Sequence, residues 1–212
     1  MEVFIGFNNF KLNQMKYNIL FFILSILSIQ NVNSQTKTLL YKLIVAGENI
    51  GTVTATKKIE GNKITYTSNT DAAANFIFNT EIKTRMMVIY ENDILQESSF
   101  RLYKNGKLKE ESTTKLSNGV YTFKHDNETN YFNKNIFKST IILLFELPNT
   151  ADSYFEEVEG TFKNVKLIKE NIFQLFSKSN SHIDDYKYSG GILQYSLVRN
   201  TLVNFEMVLK AE

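Results

Sequence analysis

Few residues in this chain of 212 could carry out acid-base or metal chemistry. His125 and His182 are its two histidines, and both stand in polar, turn-like surroundings. His182 is followed closely by Asp184 and Asp185, which would give two or three donors to a metal ion. Histidine and acids beside Ser and Asn are equally the ordinary make-up of a loop. A serine hydrolase of the nucleophile-elbow type needs its serine between glycines, and Ser153 sits instead in Asp-Ser-Tyr. Asp152, Glu156 and Glu157 are close enough in sequence to suggest the carboxylate pair of a glycosidase, one acid protonating the leaving oxygen while the other attacks or activates water. A solvated turn after Pro148 would use the same acids. The absence of cysteine excludes disulfides, thiolate metal sites, a cysteine nucleophile and a lipid-modified cysteine. There is no glycine-rich phosphate loop and no dinucleotide fingerprint. Asn127-Glu128-Thr129 is a glycosylation sequon, which matters only in a eukaryotic host. These residues lead us to expect no catalytic residues, no metal and no cofactor. An apolar site is the better expectation: Phe76, Phe78, Met86, Met87 and Tyr90 could line a pocket with Leu144 and Phe145, Met adapting to irregular ligands. The same side chains would also serve as ordinary core.

The element that must position such a site is the run Ser139 to Glu157, STIILLFELPNTADSYFEE, where polar and apolar residues stop alternating. Its apolar part fits either a short helix or a strand covered on both faces. A helix is the preferred reading, because Ser139 is a suitable N-cap and Pro148 would follow the end. The capping-box partner is missing, since position 142 is Ile. On either side the chain alternates with period two: Leu39, Tyr41, Leu43 and Val45 share a face, as do Met86, Val88 and Tyr90. Turns are signalled at 47–49, 61–62, 91–93, 105–106, 118–119 and 126–127, with Asn-Gly the strongest of the short hairpin signals. Later segments, Phe162 to Leu167 and Ile172 to Phe176, pair across residues 169–171, and Gly190-Gly191 separates the last two. Residues 108–116 are polar on both faces and read as an edge strand. Ala72-Ala73-Ala74 reads as a bend or a point of close packing. The fold expected is mainly β, a strongly curved antiparallel sheet or incomplete β-barrel of about ten strands, with one short helix packed on it.

Length allows one domain over residues 35–212. Eleven Tyr and 17 Phe against one Pro and no Trp favour β structure. From Met15 the chain has the outline of a signal peptide: one charge at Lys16, an apolar core from Ile19 to Ile29 and a polar tail ending at Ser34. That core is about a dozen residues long, short of the roughly 20 that span a bilayer. Cleavage after Ser34 would start the mature chain at Gln35, with residues 1–14 an upstream extension from a misassigned start. Loss of residues 1–34 takes the formal net charge from +2 to +1, too balanced overall for an electrostatic footprint on nucleic acid or on anionic lipid heads. The expected protein is exported to the periplasm or beyond, without an anchor once the leader is removed.

The residues Ser139-Thr140, Leu144-Phe145, Glu146-Leu147-Pro148, Glu156-Glu157, Gly160-Thr161-Phe162 and Tyr186-Lys187-Tyr188 resemble those of an uncharacterised exported domain-of-unknown-function family of Bacteroidota. Family members carry an acidic residue before the proline where this chain has Leu147. More distantly the architecture is similar to the LolA and LolB type of lipoprotein carrier, which hold acyl chains against a concave sheet. The resemblances imply a non-catalytic envelope protein that binds a lipid or other apolar molecule. Alternatives are a structural or partner-binding envelope protein, and a hydrolase built on Asp152, Glu156 and Glu157.

Overall fold

The computed structural model describes residues 34–74, 80–177, 183–199 and 204–211. The proposed leader lies, Ser34 apart, outside the described residues, as do Phe76, Phe78 and His182. Residues 34–212 form one compact unit.

Among the described residues fourteen strands make a single antiparallel sheet, more than the roughly ten expected. They are β1 (Gln35–Val45), β2 (Glu48–Glu60), β3 (Lys63–Ala74), β4 (Thr80–Glu91), β5 (Ile94–Lys104), β6 (Lys107–Ser117), β7 (Val120–His125), β8 (Glu128–Phe132), β9 (Ser153–Glu156), β10 (Thr161–Lys169), β11 (Ile172–Ser177), β12 (Ile183–Ser189), β13 (Ile192–Val198) and β14 (Phe205–Leu209). The excess comes from β8 and β9, short strands of five and four residues that were not expected, and from residues 192–209, expected as one segment and divided into β13 and β14. Two meanders, β1 to β8 and β9 to β14, are joined where β14 pairs with β1, leaving β8 and β9 as the edges.

The turn chemistry explains the meanders. Asn105-Gly106 and Asn118-Gly119 each have positive φ at both residues, as a tight hairpin turn requires. A Cβ on Gly51 would lie 2.2 Å from Asp71 O and 2.6 Å from Ala72 Cα, so the alanines mark close packing of β2 on β3. Residues 108–116 are not an edge: β6 lies between β5 and β7, and its polar inner side chains Ser112 and Thr114 are fully buried.

Inner faces carry the apolar residues and outer faces the charges, as in β1, where Leu39, Tyr41 and Leu43 are buried and Lys42 is exposed. This is the reverse of a membrane-spanning barrel, whose apolar face meets lipid. Among the described residues no helix is long and apolar enough to cross a membrane.

Edges β8 and β9 are not hydrogen-bonded to each other. Rings meet across the gap: Phe132 lies 5.8 Å from Phe155 and 6.5 Å from Phe162, and Phe123 lies 6.3 Å from Phe155, centroid to centroid. The backbone of the β8–β9 connection fills what remains, the Phe155 N–H donating to Lys138 O at 2.9 Å. Strand directions place the turns at 61–62, 92–93, 118–119, 170–171 and 190–191 on one rim. Connection 133–152 enters and leaves at that rim, the entry rim.

Candidate functional site

The connection runs into the barrel and becomes its core. Thr140–Leu144 is a single 3-10 turn, so the expected helix is present only as one tight turn. Its apolar residues point in all directions, and Ile141, Ile142, Leu143, Leu144 and Phe145 are all buried. Phe145 packs 5.6 Å from the ring of Tyr66, which meets Tyr90 edge-on at 6.0 Å.

An irregular segment buried in a barrel brings orphan backbone groups with it, and each must find a partner. At the N-terminal end Ser139 makes no side-chain cap bond, contrary to expectation. Glu157 replaces it: one carboxylate oxygen accepts from the Ile141 N–H at 3.1 Å and the other from the Thr140 hydroxyl at 2.5 Å. Glu157 is held in turn through its carbonyl, which accepts from the Ser112 hydroxyl at 2.7 Å. Burial pushes the Glu157 carboxyl up, while the hydroxyls of Thr140 and Ser139 and the Ile141 N–H oppose the shift. At the other end tyrosines supply the missing donors. Tyr188 Oη donates to Leu143 O at 2.8 Å, and Tyr41 Oη lies 3.2 Å from both Leu144 O and Leu193 O. Tyr121 fixes the entrance, accepting from the Ile136 N–H and donating to Leu95 O.

Beyond the turn, Glu146 lies between two cations. Lys57 Nζ is 2.7 Å from one oxygen and Lys138 Nζ is 3.6 Å from the other. Burial pushes the Glu146 carboxyl up, but Lys57 and then Lys138 overcome it, and the net shift is downward. A cleft of about 290 Å³ opens here, between the turn and β9. Its apolar wall is Ile142, Leu143 and Leu147, and Lys138, Glu146, Asn149, Asp152 and Tyr154 edge it. Asn149 closes the corner after Pro148, its N–H donating to Tyr154 Oη and its side chain accepting from the Ala151 N–H.

Of the seven residues expected to line an apolar pocket, Phe76 and Phe78 lie outside the described residues, and Met86, Tyr90, Leu144 and Phe145 belong to the packed core and surround no open space. Met86 and Tyr90 share the inner face of β4, four residues apart and thus separated by about 13 Å along the strand. Met87 is on the opposite face, because side chains alternate. Leu144 and Phe145 are packed into the interior and border no open space. The three acids diverge as well. Asp152 precedes β9 and Glu156 ends it, again about 13 Å along an extended chain, beyond the roughly 5 to 9.5 Å of a glycosidase pair. Glu156 is paired with Lys163 at 2.5 Å, and Glu157 is consumed as a cap. His125 Nε2 contacts Glu110 Oε1 at 3.1 Å on the other rim. No cluster of three metal-donor side chains occurs among the described residues.

Sequence reasoning missed the tyrosine donors and the Glu157 cap. Their only trace was the number of tyrosines on inward-facing positions.

A barrel-like antiparallel sheet filled by its own connecting segment defines the class of protein. The chain belongs to the family described as Domain of unknown function (DUF6134), which matches residues 41–210. Among solved structures it is similar to a beta-barrel-like protein of domain of unknown function DUF1849 from Brucella abortus. The identity is 13%, the TM-score 0.50, and the match covers 82% of this chain and 94% of the other. That likeness concerns the fold alone. No curated protein matches the chain in sequence.

Proposed function

We propose that this chain is a non-catalytic, exported binding protein that takes a small amphipathic molecule at the entry rim, outside the filled barrel. The observation that carries this reading is the cleft beside the 3-10 turn, about 290 Å³, with an apolar wall and the Lys138 ammonium at its edge. Its size is at the lower end of the roughly 300 to 1,000 Å³ of small-molecule sites. An acyl end would lie against Ile142, Leu143 and Leu147, and an anionic head would face Lys138. The concave sheet itself is covered by residues 136–145, so ligand does not lie on it as in the LolA and LolB comparison. The leader expected over residues 15–34 supports export.

Native mass spectrometry of protein recovered from its producing cell tests the reading directly. A bound lipid or fatty acid is expected, and Lys138→Gln or Leu147→Ser should weaken displacement of a fluorescent fatty acid several-fold. No retained molecule and no displacement would leave the second reading, a structural or partner-binding protein. The filled interior favours that alternative.

A further inference from the structure

Exposed large apolar side chains are not spread evenly over this fold. Leu167 and Ile168 form the tip of the β10–β11 hairpin, 55% and 46% exposed. Phe137 and Leu147, 56% and 48% exposed, lie on the connection beside β9, and Tyr131 on the neighbouring edge strand is 70% exposed. Strand direction places Tyr131, Leu167 and Ile168 at the entry rim, with Val120 (40% exposed) at the start of β7, and Phe137 and Leu147 lie on the connection that enters there, so the sector runs from β7 and β8 through β9 to β10. Leu40, 39% exposed, lies apart within β1. On the other rim Leu108 and Ile183 are exposed singly, on strands far apart in the sheet. Scattered apolar residues need no explanation, whereas a grouped set marks a contact surface.

The positive charge is local to the β10–β11 tip. Lys166 and Lys169 bracket Leu167-Ile168, with Glu170 the acid beside them, and Lys134 and Lys138 accompany Phe137. Glu146 is paired with both Lys57 and Lys138, and Asp152 lies nearby on the connection. Apolar side chains that can enter the headgroup layer, surrounded by lysines, are the two signals that together hold a protein on an anionic bilayer.

We infer that the entry rim docks on the surface of an anionic lipid bilayer, with Leu167 and Ile168 inserted and the flanking lysines over the headgroups. The inference stands whether or not the cleft holds a ligand. Docking would turn the cleft mouth towards the membrane, because the two share this rim.

Vesicle co-sedimentation of the full chain tests it, using phosphatidylglycerol-containing vesicles against pure phosphatidylcholine. Comparison between variants cancels any contribution of the leader. Binding to the anionic vesicles is expected, with loss at high salt. Lys166→Gln with Lys169→Gln should lower the partition coefficient about 30-fold. Leu167→Ser with Ile168→Ser should lower it at least tenfold, while Leu108→Ser on the other rim should leave it unchanged. All substituted side chains are exposed, so thermal unfolding should be unaltered in each variant. The inference is overturned by failure of the parent to bind, by equal binding to neutral vesicles, by Leu108→Ser matching the rim variants, or by capture of a protein at the rim with no vesicle binding. A fatty-acid displacement assay on the same variants separates its failure from that of the cleft.

Discussion

Glu157 caps a turn from sixteen residues downstream, and that ties a fully buried carboxyl to the core segment. Its folded pKa lies above the ordinary value of 4.5 because burial penalises the charge. The folded state therefore holds this proton more tightly than the unfolded chain does. The associated stability is complete below 4.5 and declines as pH rises through the folded pKa. Glu157→Gln keeps an acceptor oxygen and removes the ionisation, so urea unfolding followed as pH rises above 4.5 should show a flatter decline than the parent. Glu146 has the opposite sign: its pKa is lowered, so its contribution is present above 4.5 and lost as pH falls through the folded value. Because Glu146 is half-exposed and screened, Glu146→Gln should cost less than about 1 kcal/mol at neutral pH and nothing in strong acid. A steric prediction belongs to the β9–β10 turn. Gly160 has φ +67°, and a Cβ there would lie 2.4 Å from the Phe123 ring. Gly160→Ala should cost about 2 to 4 kcal/mol, read as a lowered unfolding midpoint, since left-handed backbone and overpacking add.

The 3-10 turn is core, and its substitutions should behave as core substitutions do. Phe145→Ala removes a buried ring packed on Tyr66 and should destabilise by about 3 to 5 kcal/mol in chemical denaturation. A cost near zero would mean that the ring is not packed in solution. Much of the surrounding architecture was legible in the sequence. Residues at the signalled turns take positive φ, among them Gly47, Gly61, Asn92, Asn105, Asn118 and Asp126. Hairpins are local, and their turn residues and alternating faces are written in adjacent positions. The element at the centre was read less well. Its length was visible as an apolar run, but whether it was helix or strand was not, because its geometry is set by partners far away in the chain. Tyr41 and its acceptor Leu144, for instance, are 103 residues apart. The inward polar face of β6 misled for the same reason: Ser112 and Thr114 read as solvent-facing until Glu157 and the sheet cover them. Among the site residues, Met86 and Met87 were adjacent in sequence and could never share a face.

On the scale of the molecule, two meanders meet at β1 and β14 and close on the other side through rings and one threaded segment. Such closure leaves β8 and β9 as the least secured strands, which local opening would reach first. It also makes the rim the place where the proposed ligand and membrane contacts would be made. With residues 136–145 filling the interior, the cleft, the exposed apolar tips and the lysines are all gathered where the connection enters. The account depends on the segment being a fixed part of the core and not a lid over an empty barrel. Native-state hydrogen exchange at the amides of Ile141, Ile142 and Phe145 tests this most directly. These amides donate to Glu157, Ser139 O and Ile142 O respectively. The account predicts that all three exchange only through global unfolding, with the same free energy and denaturant dependence as the amides in the centre of β1 and β2. Exchange at a clearly lower free energy, while those strand amides stay protected, would contradict it and establish the segment as a lid.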